Sequence, residues 1–249
     1  MWVETVSPSF RARHETADGG EAARVLDSLE LTRERMEEHF PRAVVGLTVV
    51  LHGSFLSLAL ARPPAALAWI TSAPAGRRYV VGWGDARELH VLGQRALEAR
   101  ASGLSDSREM LKLAAAALYS RRVIAENNHD LRRRPRLTRR GATLRWAWLL
   151  DGAARWFSGQ TEHARPAIVR RLRDGGAPRF PPGWRDAALL GGTVIDLLVS
   201  EKGELAAAQL ACRLPHGGPR AALGKAFDER PLTEVEGAWR MHLARLAGG

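Results

Sequence analysis

With 249 residues, 45% of them apolar and 26% charged, the chain has the length and balance of a folded globular protein able to bury a substantial core. Apolar stretches such as Ala43 to Leu51 are far shorter than the roughly 20 residues of a bilayer span, and the opening residues Met1 to Pro8 lack the basic and apolar regions of a secretory signal. The expectation is a cytoplasmic protein with no membrane partner. The net charge of +10 is carried almost wholly by arginine, since the lysines are only Lys112, Lys202 and Lys225. The single cysteine, Cys212, excludes an intrachain disulfide and a cysteine-based zinc knuckle; it sits in an apolar helical run and reads as a small core residue.

From Pro8 to His14 the apolar positions Phe10, Ala12 and His14 alternate with Arg11 and Arg13, a strand signal. Val25, Leu26, Leu29, Met36 and Phe40 then fall at helical spacing between Gly20 and Phe40, a face suited to packing on a sheet. Ala43 to Leu51, Arg78 to Gly82 and Glu88 to Leu92 are short, partly β-branched and bounded by Gly, Pro or Asp, and supply further strands. Residues 1–104 thus read as a small mixed α/β lobe.

Residues 105–249 read as helical. Asp106 with Glu109 opens a long, alanine-rich helix that runs to about Asn127. A basic loop follows to about Thr143, and a tryptophan-rich helix extends from Leu144 to Phe157, with Trp148 and Trp156 on one face and Trp146 on another. Pro166 suits the first turn of a helix to Asp174, and Gly175-Gly176 its end. After the turn Pro181-Pro182-Gly183 come helices at Arg185 to Ser200, Glu204 to Arg213 and Arg220 to Phe227. A last helix has Thr233 and Glu236 as a capping box and Val235, Trp239, His242, Leu243 and Leu246 as its apolar stripe. The fold class expected is helix-rich α+β, in one unit.

The segment Trp148-Leu149-Leu150-Asp151-Gly152-Ala153-Ala154, on the helix that follows the long helix and a loop, resembles the W-L-x-E-G-x-A segment of the gluzincin zinc metallopeptidases of the peptidase MA-like group, with Asp for Glu. The likeness extends to the helical tail from Ala187 to Leu246. In that family the acid of this segment is the third zinc ligand and an earlier helix bears H-E-x-x-H. Residues four apart share a helical face, so two imidazoles can meet one Zn²⁺ beside a Glu that activates water.

No H-E-x-x-H occurs in the sequence. Two registers place its remnant. In one, Ala125-Glu126-Asn127-Asn128-His129 retains the base Glu126 and the ligand His129, which with Asp151 would serve an irregular zinc site. In the other, favoured because it lies inside the long helix, Ala117-Leu118-Tyr119-Ser120-Arg121 stands at the motif and every chemical residue is gone. Arg121 then occupies the place of the metal's positive charge beside Asp151, with Tyr119 and Arg155 lining the cleft.

The resemblance therefore implies a metallopeptidase-like protein without catalytic zinc or other cofactor, holding a peptide or protein segment in the former cleft; the alternative is an active zinc peptidase built on Glu126, His129 and Asp151. A third reading rests on Arg132 to Arg140, in which seven of nine residues are Arg or Pro, as a contact for nucleic acid or another anionic partner. The glycine pairs lack the spacing of phosphate-binding loops, no Ser, His and Asp set forms a local motif, and His90, His163 and His242 read as structural histidines.

Overall fold

The structure, a computed structural model, describes residues 1–70, 77–174 and 176–248. A five-stranded sheet lies near the N-terminus, made of β1 (Trp2–Val6), β2 (Phe10–Glu15), β3 (Leu47–His52), β4 (Gly82–Gly84) and β5 (Glu88–Leu92) in the order β1-β2-β3-β5-β4. β2, β3 and β5 run parallel, while β1 and β4 are antiparallel edges. The alternation expected in β2 is seen: Phe10, Ala12 and His14 are buried and Arg11, Arg13 and Glu15 exposed.

The parallel β2–β3 pair needs a crossover, which α1 (Gly19–Glu37) supplies. Its buried face of Ala22, Leu26, Leu29 and Met36 packs on β2 and on a later helix. Two short apolar helices, α2 (Phe55–Ala61) and α3 (Pro63–Ile70), follow β3, and α4 (Gln94–Arg100) follows β5. The molecule is thus helix-rich α+β with a small α/β lobe at the N-terminus.

The remaining helices are α5 (Ser105–Lys112), α6 (Ala114–Asn127), α7 (His129–Arg133), α8 (Arg136–Arg145), α9 (Ala147–Phe157), α10 (Arg165–Asp174), α11 (Trp184–Lys202), α12 (Glu204–Ala211), α13 (Gly218–Ala226) and α14 (Leu232–Gly248). α6 contacts α1, β4 and β5 on one side and α9 on the other, and α9 packs along α11. The buried side chains of sheet and helices form one continuous apolar cluster, with Trp148, Trp239, Tyr119 and Phe157 among its largest members. Among the described residues no helix is long and apolar enough to cross a membrane.

Several elements differ from the sequence reading. The long alanine-rich helix is two, because the backbone leaves helical geometry at Leu113 (φ −75°, ψ 6°). Its first half starts at Ser105, so Asp106 stands inside the first turn and the helix start has no capping side-chain hydrogen bond. The basic loop is helical as α7 and α8, which turn arginines outward and bury Leu131 and Ala142. The strand expected at Arg78 to Gly82 is shifted to Gly82–Gly84, and that at Ala43 to Leu51 starts only at Leu47, after Gly46 at φ +73°. The last helix begins at Leu232, which puts Thr233 inside it rather than at its cap. Trp146 is buried like Trp148, and Trp156 only partly so. Gly175, half of one expected helix end, lies outside the described residues.

Candidate functional site

A cleft opens where three elements meet: the edge strand β4 with the residues leading into it, α6, and α9. Helical periodicity turns Ala114, Ala117, Leu118 and Arg121 of α6 toward it, and Asp151, Ala154 and Arg155 of α9 face them. Tyr79, Val80, Val81 and Gly82 form the opposite wall. The cavity is about 180 Å³, slightly more than the roughly 150 Å³ pocket that accepts a benzene ring in an engineered protein core. It suits one side chain of a ligand.

In this cleft Arg121 Nε donates to Asp151 Oδ1 at 2.7 Å, joining α6 to α9. The two side chains are 21% and 35% exposed, so the pair sits at the cleft surface, neither dry nor fully solvated. Arg155, one turn beyond Asp151 on the same helix, is partly buried and donates from Nη1 to Gln160 Oε1. Gln160 is itself fixed, since its amide donates to the Met110 carbonyl. Burial pushes the Arg155 guanidinium down to about 10, although Asp151 acts in the opposite sense.

β4 gives the cleft a backbone edge. Leu92 N–H donates to the Val81 carbonyl at 3.0 Å and Asp85 N–H to the Glu88 carbonyl at 2.9 Å, so the antiparallel alternation turns Val81, Trp83 and Asp85 toward β5. The N–H and C=O groups of Gly82 and Gly84 consequently point outward. Gly82 must be glycine, because a Cβ there would meet the His90 carbonyl at 2.6 Å.

The sequence-derived site residues separate into two groups. Arg121, Asp151 and Arg155 come together. Tyr119 does not join them: two residues from Arg121 is about 200° around a helix, and its ring lies in the core at 5.2 Å from Phe10, edge to face. Burial pushes its phenol up to about 12. The cleft role expected for Tyr119 is thereby corrected.

The register built on Glu126 and His129 fares differently. Asn128 leaves helical geometry (ψ 107°) and caps α7 by accepting from Leu131 N–H, so Glu126 and His129 stand on two helices. Glu126 is held by Arg122 at 2.9 Å, with Arg132 at 3.8 Å, and faces a neighbouring groove; His129 is exposed. Neither register offers a zinc donor set. At Ala117, Leu118 and Arg121 there is no ligand atom but a cation, and Asp151 is already paired. Among the described residues no group of three or more His, Cys, Asp or Glu is placed to hold a metal ion.

The arginine run lies on the surface of α7 and α8, where Arg132, Arg133, Arg139 and Arg140 are exposed. Arg139 donates to the Arg134 carbonyl. The side chains of Arg136 and Leu137 lie outside the described residues. His90, His163 and His242 each have a partner: His52 at 3.1 Å, Asp106 at 3.4 Å and Asp196 at 2.8 Å. Cys212 is partly buried, which raises its thiol pKa.

Sequence reasoning missed Gln160 and the β4 edge. The only local signal for the latter was the pair Gly82 and Gly84 flanking Trp83. Compared with known proteins, the chain matches no family model, no curated sequence and no solved structure.

Proposed function

We propose that the chain is a gluzincin-like protein without catalytic zinc that binds an extended peptide or protein segment in the cleft between β4, α6 and α9. The observation that carries this reading is the Arg121 to Asp151 ion pair. Under the favoured register Arg121 takes the place of the motif's second histidine and Asp151 that of its acid, and the only carboxylate among the described residues that line the cleft is the one paired with Arg121. The outer edge of β4, which pairs with no other strand among the described residues, adds to the argument, since a strand can be extended by main-chain hydrogen bonds from a ligand backbone while a neighbouring cavity receives a side chain. A cytoplasmic location goes with the same reading.

The test is a pool of random-sequence hexapeptides, all acetylated, half amidated and half with a free C-terminal carboxylate, offered to ¹⁵N-labelled protein. Binding should shift the amides of Gly82 and Gly84 together with the Arg121 Nε–H, and the bound peptides should be recovered uncut. A pool that shifts none of these resonances overturns the proposal, and cleavage by metal-free protein overturns its non-catalytic part.

A further inference from the structure

We propose that Arg155 makes this cleft select a carboxylate, so that the bound segment presents an acidic side chain or a free C-terminus to its guanidinium. The inference rests on the peptide-binding reading and names the chemistry of its ligand. Two guanidinium groups, Arg121 and Arg155, face the cavity against one carboxylate. That carboxylate, Asp151, is committed to Arg121 at 2.7 Å. Arg155 has no carboxylate within ion-pair distance among the described residues; its hydrogen-bond partner is the neutral oxygen of Gln160.

A partly buried guanidinium is costly when water is withdrawn from the charge and only one neutral oxygen, with a carboxylate beyond ion-pair distance and engaged elsewhere, stands in for it. The fall of its pKa to about 10 is the same penalty seen as a proton equilibrium. An incoming carboxylate removes that penalty. It meets a planar donor fork whose orientation Gln160 fixes, which is the geometry for a charge-assisted bond. The cavity of about 180 Å³ admits a carboxymethyl or carboxyethyl group and excludes a folded surface. Gly82 leaves an outward N–H group alongside for the backbone that carries it, with Gly84 at the adjoining groove.

The experiment compares four small probes by NMR titration of the full-length protein: N-acetyl-glutamate amide, N-acetyl-glutamine amide, N-acetyl-alanine with a free carboxylate, and N-acetyl-alanine amide. Either the first or the third should bind at least tenfold more tightly than its neutral counterpart, and which of them does so separates a side-chain carboxylate from a C-terminal one. The Arg155 Nε–H resonance should shift with the charged probe alone, and Arg155→Gln should abolish the difference. Equal binding of charged and neutral probes, or a full preference retained in folded Arg155→Gln, overturns the inference. If that variant does not fold, the wild-type comparison and the Arg155 resonance still decide. Carboxylate probes that bind while no hexapeptide does would uphold this inference and overturn the peptide reading.

Discussion

Gly152 and Gly191 lie so close that a Cβ on Gly152 would stand 2.4 Å from the Gly191 carbonyl carbon, and one on Gly191 would stand 2.5 Å from the Trp148 carbonyl oxygen. The obstructing atoms in both directions are backbone, so no rotamer change relieves the clash. This contact lets α9 and α11 run against each other, and it explains the glycine that follows Asp151 in sequence. Gly152→Ala should cost about 3 kcal/mol, the upper end for an overpacked core, and move Asp151 away from Arg121. A denaturant midpoint unchanged from the parent would mean that the two helices do not touch at this point.

Acid should weaken the sheet at a buried histidine pair. His52 and His90 are 6% and 7% exposed, their rings joined Nε2 to Nδ1 at 3.1 Å, with Glu88 at 3.4 Å from the other nitrogen of His90 and Asp85 and Arg62 acting on it from nearby. Burial first, then His90, lowers His52 from 6.5 to about 4. The unfolded protein therefore binds the proton before the folded one does. Stability from this pair is complete above about pH 6.5 and is lost as pH falls toward 4, by about 2 kcal/mol. Glu30 acts in a separate, lower window: despite burial, which would raise it, Ser7, Ser9 and Arg33 hold it at about 2. Urea unfolding at pH 7 and pH 4.5 should show a drop that His52→Gln at least halves; equal drops in both proteins would show that the pair has no part in the acid loss.

What the sequence disclosed tracks where burial leaves a periodic trace. β2 was legible by alternation because one of its faces is buried and the other exposed, whereas β5, buried on both faces from Leu89 to Leu92, showed as a short apolar run after Gly84 and Asp85. β1 was not, since none of its five residues is fully buried. The helices at Phe55 to Ile70 are apolar on nearly all sides and carry no periodic contrast, and α8 is too arginine-rich to stand out from a loop. At the site, the spacing of the motif pointed to Arg121 and Asp151 as neighbours. Tyr119 fell on the wrong face because motif membership says nothing of the turn of the helix. The Gln160 to Met110 bond joins positions 50 residues apart, and no local pattern announces it.

Trp148 and Trp156 should respond differently to substitution. Trp148 is 1% exposed and its indole N–H has no partner among the described residues, so its contribution is the ring it buries. Trp148→Ala should cost about 3 to 5 kcal/mol. Trp156 is partly buried, with its Nε1 donating to Asp196 Oδ1 at 2.9 Å and Arg35 stacked over its ring. Trp156→Phe keeps most of the packing and removes a hydrogen bond to a charged group, for a loss of about 1.5 to 3 kcal/mol. Equal losses for Trp156→Phe and Trp156→Leu beside a smaller loss for Trp148→Ala would reverse this assignment.

The proposed likeness to gluzincins can be tested by building the motif into the chain. Ala117 and Arg121 are four residues apart, both face the cleft, and Leu118 lines it between them. Ala117→His, Leu118→Glu and Arg121→His together would place two imidazoles on the face that now meets Asp151, and would remove the guanidinium occupying the carboxylate. Three ligands, two histidines and Asp151, complete a catalytic-type zinc set with one open position. The parent protein, dialysed free of chelator, should retain no stoichiometric zinc, whereas the triple variant should bind about one Zn²⁺ per molecule. Adding Asp151→Ala should weaken that binding at least tenfold, since a three-ligand site becomes a two-ligand one. Zinc bound stoichiometrically by the parent would contradict the non-catalytic reading. A folded triple variant that takes up no zinc would show that α6 and α9 do not hold these four positions in metallopeptidase geometry, and the family resemblance would go with it.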